Sequence, residues 1–346
     1  MRLTLYRYSL PLRQSLTIAG STKSRREGFL VQVRGEGHEG WGEIAPLDGY
    51  SRESVDEVAK AWPRVVAVLR RMGLREGAAS DEWKNMPSVA CGLQFAMGMG
   101  PVSHQGIVKT ASLIVSADIA SIRREAARAL ESGRPCVKLK VGRNTVAADA
   151  AVVRELRRLL EGRAAIRLDA NRAWSVEDAC AFASAIGPDG IEFMEEPLQD
   201  LSMYNDLGRD WPLPLAFDES LARHDPERVL DLAHVHAVVL KPGLLGGPLP
   251  VARWAAKAQA RRIKSVLGAM YETGVGMRHL VAMAASSPYN LTAAGLDTYH
   301  ALAGDVAGPS LPSQGAGYPA DACRAEAWNI HLELLELVYD DDSLSA

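Results

Sequence analysis

Between residues 136 and 243 the chain repeats one pattern, a short apolar run that ends in a charged side chain. The runs end at Lys140, Asp169, Glu195, Asp218 and Lys241, separated by 29, 26, 23 and 23 residues. Each interval holds about one strand plus one helix, so the pattern predicts successive βαβ units. Extended both ways, it gives eight candidate strands, at residues 110–115, 135–141, 165–170, 191–196, 214–219, 237–241, 264–268 and 291–295. Helical periodicity lies between them, for example at 117–131, 145–160, 175–186 and 248–261. Eight strands so spaced predict a closed parallel barrel, and no glycine-rich fingerprint opens the first unit to suggest a dinucleotide fold. Strand-end residues of such a barrel converge on its C-terminal mouth.

The first hundred residues read differently. Residues 2–8, 28–34 and 40–45 alternate apolar and polar positions, with a turn signal at 35–40, and predict a small antiparallel sheet. The polar, basic stretch 15–27 is expected to be a mobile loop, either a solvated linker or an active-site lid. A helix is expected from Ser51 as cap, and a second, buried one over residues 86–97 with Pro87 in its first turn. This predicts an α+β capping domain over 1–104, the barrel over 105–303, and a C-terminal return over 304–346 that packs on the capping domain. The fold class expected is α/β, a (β/α)7β TIM-type barrel with that N-terminal domain.

Composition adds limits. At 47% hydrophobic and 23% charged the chain is an ordinary globular sequence, and a net charge of -3 gives no reason to expect nucleic acid or an anionic membrane as partner. The four cysteines are scattered without metal-type spacing and are expected to be reduced thiols. No apolar run approaches the ~20 residues of a membrane span, and the alternating N-terminus is unlike a signal peptide. The expectation is a cytoplasmic enzyme.

Residues two apart on a strand share a face, so Lys138 and Lys140 point together toward the barrel interior, as do Asp169 and Asn171. Only one member each of Glu195–Glu196 and Asp218–Glu219 faces inward, and the apolar flanks favour Glu195 and Asp218. Three such carboxylates repel unless a cation neutralises them, and all-oxygen ligands favour Mg2+, or Mn2+ as substitute, over zinc. A lysine in that mouth loses basicity through burial and becomes a candidate general base. Lys140 and Lys241 would flank the metal, one as base, the other as proton donor or fixed charge.

These residues resemble the enolase superfamily, whose members use a Lys or His base with Mg2+. Matching stretches include Gly-Trp-Gly-Glu from Gly40, Met-Pro-Ser from Met86, Lys138-Leu-Lys140, Arg167-Leu-Asp-Ala-Asn171, Met194-Glu-Glu-Pro, Asp218-Glu-Ser, Leu240-Lys-Pro and Gly295-Leu-Asp-Thr298. The two barrel lysines and the lack of a catalytic histidine resemble the muconate-cycloisomerase-like group, and within it the o-succinylbenzoate synthase family. That resemblance implies Asp169, Glu195 and Asp218 as Mg2+ ligands. It implies Lys140 as the base that then protonates the departing hydroxyl in a syn-dehydration, and Lys241 as charge against an enediolate. Lys138 would support Lys140, Asn171 would orient the metal site, and the substrate would be a small-molecule carboxylate. The sequence departs from relatives at the seventh strand, where a serine-rich run that contacts the substrate is replaced by Gly268, Ala269 and Met270. A backbone N–H of Gly268 could serve a carboxylate there, with Gly295 on the next strand. An N-acylamino acid racemase or dipeptide epimerase, using both lysines as bases, is the alternative. A silent binding barrel is the third reading, disfavoured by the intact polar set. The sequence leaves the oligomeric state open.

Overall fold

A computed structural model describes residues 1–18, 21–35, 37–116, 118–286 and 292–342. Strands β1 (Arg2–Ile18), β2 (Ser21–Gly35) and β3 (His38–Ile44) form an antiparallel sheet. Their apolar face, with Leu3, Leu5, Phe29, Val31, Val33 and Ile44, is buried against α1 (Val55–Met72) and α2 (Pro87–Ala96). Helix α1 presents Val55, Val58, Trp62, Val65, Val66 and Leu69 at helical spacing, an apolar stripe that needs this sheet to cover it. Its cap is Ser54, in a capping box with Glu57, and not Ser51, whose Oγ accepts the Leu47 N–H at 2.9 Å. Helix α2 lies directly on β3: a Cβ on Gly42 would sit 1.8 Å from the carbonyl oxygen of Gly92.

In its described residues, 15–18 and 21–27, the stretch 15–27 is not a loop; Ala19 and Gly20 lie outside the described residues. It is the far part of the β1–β2 hairpin, with Leu16 opposite Lys23 and Thr17 opposite Thr22 after a break in register at Pro11 to Leu16. Most side chains there face solvent on both sides, so the apolar alternation that announces a strand is missing while the backbone ladder persists.

The barrel strands are β4 (Ser112–Ile114), β5 (Cys136–Lys140), β6 (Ala165–Asp169), β7 (Ile191–Glu195), β8 (Leu215–Phe217), β9 (Val235–Leu240) and β10 (Lys264–Leu267). All are parallel and adjacent in chain order. The predicted eighth strand is reduced, among the described residues, to bridges from Ala294 to Thr110 and from Gly295 to Gly268. Ala294 N–H donates to Lys109 O at 2.8 Å and Gly295 N–H to Leu267 O at 2.8 Å, which closes the ring. Leu291, Ala117 and residues 343–344, which fell in predicted elements, lie outside the described residues. Helices α3 (Ile119–Glu131), α4 (Val146–Leu160), α5 (Val176–Ile186), α6 (Pro248–Ala260) and α7 (Gly274–Ala284) surround the strands. The architecture is the modified TIM-type barrel with an N-terminal α+β domain that the spacing predicts.

The last strand, β11 (Glu336–Asp341), pairs with β1 and completes the N-terminal sheet. Tyr339 packs edge-on against Trp62, ring centroids 6.3 Å apart. Two buried charges tie this sheet to the barrel. Glu43 accepts the N–H groups of Thr273 at 3.0 Å and Gly276 at 2.9 Å, a carboxylate at the N-terminus of α7. Arg26 donates to the carbonyls of Ala45 and Pro46 and, across the boundary, to that of Tyr271 at 3.1 Å. The cysteines are free thiols. Among the described residues no helix is long and apolar enough to cross a membrane.

Candidate active site

All five strand-end residues meet at the C-terminal mouth. Strand alternation turns Lys138 and Lys140 inward, and β5–β6 register sets Lys140 beside Asp169 and, one strand on, Asp169 beside Glu195. Lys138 Nζ lies 2.8 Å from Asp169 Oδ2 and 2.8 Å from Glu195 Oε2, bridging the two acids. Lys140 Nζ instead donates to Asn171 Oδ1 at 2.8 Å, a neutral amide. Asn171 is held at positive φ, with its N–H on Asp169 Oδ1 at 3.1 Å, so the turn after β6 aims its side chain at Lys140.

Across the barrel Lys241 donates to Asp218 and, at 2.6 Å, to the hydroxyl of Tyr50, which donates in turn to Asp218 Oδ2 at 2.8 Å. The Lys241 ammonium also lies 4.7 Å from the centre of the Tyr50 ring. The apolar-flank argument picks the inward member of each acidic pair at Glu195, but the second pair divides its work. Asp218 binds Lys241, while Glu219 also lines the cavity and accepts from Asn171 Nδ2 at 3.4 Å. Glu196 turns away at positive φ and binds the N–H groups of Asp218 and Ser220 at 3.0 and 2.8 Å, fixing the Asp218 turn. Sequence reasoning missed Tyr50, Glu219 and Glu196. For Tyr50, in an irregular segment of the N-terminal domain, no periodic signal exists.

The cavity over these residues measures about 470 Å3 and is walled by the hairpin residues Leu16 and Thr17, the Tyr50 segment and the loops after the strands. A larger groove of about 810 Å3 lies elsewhere, between the N-terminal sheet and the C-terminal segment near Trp328. Lys138, Lys140, Asp169, Glu219 and Lys241 line the smaller one, so volume does not locate the chemistry. Gly268 and Gly295 both face the smaller cavity. A Cβ on Gly268 would lie 3.1 Å from Lys241 Cγ, so glycine there makes room for the lysine stem. The Gly268 N–H, however, donates to Leu240 O at 2.9 Å and is unavailable to a ligand. The next three amides are also spent: Ala269 on Gly295 O, Met270 on Glu272 and Tyr271 on Thr298.

Charge separates the two lysines. Burial lowers the basicity of Lys140, with the charges of Lys138, Arg143 and Lys241 adding to that effect and only Asp169 opposing it strongly. Burial acts most strongly on Lys241 as well, but the charges of Asp218, Glu195 and Glu219 together outweigh it and the group is held above the ordinary lysine range. Lys138 is likewise raised, its burial offset by Asp169, Glu195 and Asp218. Glu195 is pushed well above the carboxylate range by burial and by repulsion from Asp169 and Asp218. Among the described residues no three acid, His or Cys side chains converge into a ready cation cage, because Lys138 stands between Asp169 and Glu195. The donor set nevertheless suits a hard dication. It is all oxygen, the three acids are almost wholly buried, and Asp218 Oδ1 has no hydrogen-bond partner.

Similarity to known proteins covers nearly all of the chain. Residues 121–320 match the enolase C-terminal domain-like family, and residues 1–99 match the MenC N-terminal domain family. An o-succinylbenzoate synthase of Photorhabdus laumondii is 34% identical over 286 residues, covering 81% of this chain and 85% of the relative. Among solved structures, a mandelate racemase/muconate lactonizing protein of Herpetosiphon aurantiacus superposes with a TM-score of 0.81 at 24% identity, covering 95% of this chain and 97% of its own. A dipeptide epimerase of Enterococcus faecalis, solved with Mg and a dipeptide, gives 0.74 at 20% identity, with 92% and 98% covered. The likeness to these two structures is one of fold.

Proposed function

The chain belongs to the o-succinylbenzoate synthase family of the enolase superfamily, and from that premise we propose that it dehydrates 2-succinyl-6-hydroxy-2,4-cyclohexadiene-1-carboxylate to 2-succinylbenzoate. It would act as a hydro-lyase of menaquinone biosynthesis in the cytoplasm, on a small-molecule carboxylate, with no nucleic acid or membrane as partner. The observation that carries this reading is the unlike pairing of its lysines. Among the described residues Lys140 is hydrogen-bonded only to an amide oxygen, whereas Lys241 is locked to Asp218 and Tyr50. A one-base elimination needs one free amine and one fixed cation, which is this arrangement.

In that reaction neutral Lys140 takes the proton from the carbon α to the ring carboxylate. The resulting ammonium returns that proton to the hydroxyl on the same face as the C–O bond breaks, so water leaves and the amine is restored. Asn171 fixes the direction of the amine through its hydrogen bond. Lys138 keeps a positive charge near Lys140 that disfavours premature protonation. Lys241 faces the negative charge that develops on the substrate as an enediolate, and Tyr50 holds it there. Asp169, Glu195 and Asp218 would hold Mg2+, with Mn2+ as a substitute, and the ion would supply positive charge against the substrate carboxylate. Gly268 and Gly295 act by leaving space.

The alternative, an N-acylamino acid racemase or dipeptide epimerase, draws on Gly268, Ala269 and Met270, which put no side-chain hydroxyl on the seventh-strand wall. It requires Lys241 to work as a second base, against its ion pair with Asp218. The test is turnover of the cyclohexadiene substrate, run beside α-proton exchange of an N-succinylamino acid in D2O. Fast dehydration that EDTA abolishes and Mg2+ restores is expected. Fast exchange without dehydration would replace the reading by the racemase, and EDTA-resistant turnover would remove the metal from it.

A further inference from the structure

Four cationic side chains line the active-site cavity: Lys138, Lys140, Arg143 and Lys241. Lys138 and Lys241 are paired with carboxylates, and Lys140 is bonded to Asn171. Arg143 differs. Among the described residues it meets no carboxylate, and its guanidinium gives a single N–H, from Nη1, to the carbonyl of Val115 at 3.2 Å. An arginine carries five N–H donors in a planar fork that fits a carboxylate. Most of that fork is unspent.

The backbone beneath it is fixed. Gly142, at φ +78°, turns the chain after β5, and its N–H donates to Asp149 Oδ2 at 2.6 Å. A Cβ on Gly142 would lie 2.7 Å from that of Ala173, so the turn packs closely. Asn144 binds the other oxygen of Asp149 at 3.0 Å, and Thr145 caps α4. Arg143 thus stands on a rigid turn three residues past the base, at the cavity rim.

The dehydration substrate has two carboxylates, one on the ring and one at the end of the succinyl arm. The ring carboxylate lies beside the proton that leaves, next to Lys140 and the acids. On the seventh-strand wall the amides of Gly268, Ala269, Met270 and Tyr271 are all engaged, which leaves neutral hydroxyls, those of Tyr271 and Thr298, to face the other one. At the rim Thr17 shares a hydrogen bond with Thr22, and Thr298 Oγ accepts the Tyr271 N–H, so the donors on that side are uncharged. We propose that Arg143 is the specificity residue that binds the terminal carboxylate of the succinyl arm. The inference rests on the dehydration reading for the identity of that arm. It gives the arm a charged partner on the loop after β5, which the seventh-strand wall does not supply.

The test compares the native enzyme with Arg143→Gln and Arg143→Lys, on the succinyl substrate and on its analogue with a primary amide in place of the terminal carboxylate. Arg143→Gln should raise KM for the acid roughly 10- to 100-fold, the range for one charge-assisted pair, with kcat changed less than about threefold. Arg143→Lys should recover part of that loss, and the amide analogue should show the same KM with native enzyme and Arg143→Gln. An unchanged KM for the acid overturns the proposal, as does an equal penalty on acid and amide, which marks a merely structural arginine. If the native enzyme fails to dehydrate the substrate, that reading falls by itself. The comparison then runs on α-proton exchange of an N-succinylamino acid, which carries the same arm, with the same outcomes deciding it. Turnover of neither compound by the native enzyme overturns both.

Discussion

Lys140 and Lys241 are the same side chain in one cavity, and their hydrogen-bond partners make them different reagents. Removing Lys140 in Lys140→Ala should cost roughly 10^3-fold or more in turnover, the upper part of the range for a general base, while the melting temperature stays near native. Near-native turnover would exclude it as the base. Tyr50→Phe keeps the ring under Lys241 but deletes the hydroxyl that binds both Lys241 and Asp218. A loss of about 10- to 100-fold in kcat/KM with little change in stability is expected, and unchanged steady-state kinetics would deny Tyr50 a positioning role. Lys140, Asp169, Glu195, Asp218 and Lys241 are legible in the sequence because each ends an apolar run, and Lys138 because strand alternation puts it on the face of Lys140. Tyr50 and Glu196 are not. One comes from an irregular segment of another domain, and the other is identified only by the backbone amides it accepts.

At the scale of elements, a close backbone approach seats the N-terminal sheet on its own helix, while buried charge at Glu43 and Arg26 ties that domain to the barrel. Gly42→Ala drives a methyl to within 1.8 Å of the Gly92 carbonyl, so β3 and α2 must separate. A loss of about 2–3 kcal/mol in urea unfolding is expected from such overpacking, and a midpoint equal to native would show that the helix moves freely. Periodicity reveals the barrel strands because each buries an apolar face, whereas the far part of the β1–β2 hairpin buries little and carries no such signal. The eighth strand was overdrawn. Its closure rests on a few backbone bonds at Ala294 and Gly295, which leave no periodic trace.

Across the molecule, burial holds groups neutral far from the active site. His279 on α7 stacks on Phe95, ring centroids 4.6 Å apart, and is hydrogen-bonded to the Trp41 carbonyl at 2.8 Å. Burial lowers its pKa from 6.5 to about 4. The native state therefore refuses a proton that the unfolded chain accepts below pH 6.5. The stability this neutrality contributes is full above pH 6.5 and is lost as pH falls toward 4. His279→Gln should flatten that acid limb, so that between pH 7 and pH 4.5 the native protein loses about 2–3 kcal/mol more than the variant. Parallel urea curves at the two pH values would show that His279 does not titrate this way. The pairing of β11 with β1 has another consequence, for synthesis. On the ribosome β1 is made well before β11, so its outer edge stays open until residues 336–341 arrive, and an open edge recruits other strands. The hairpin that supplies Leu16 and Thr17 to the cavity therefore gains its flanking strand late in synthesis.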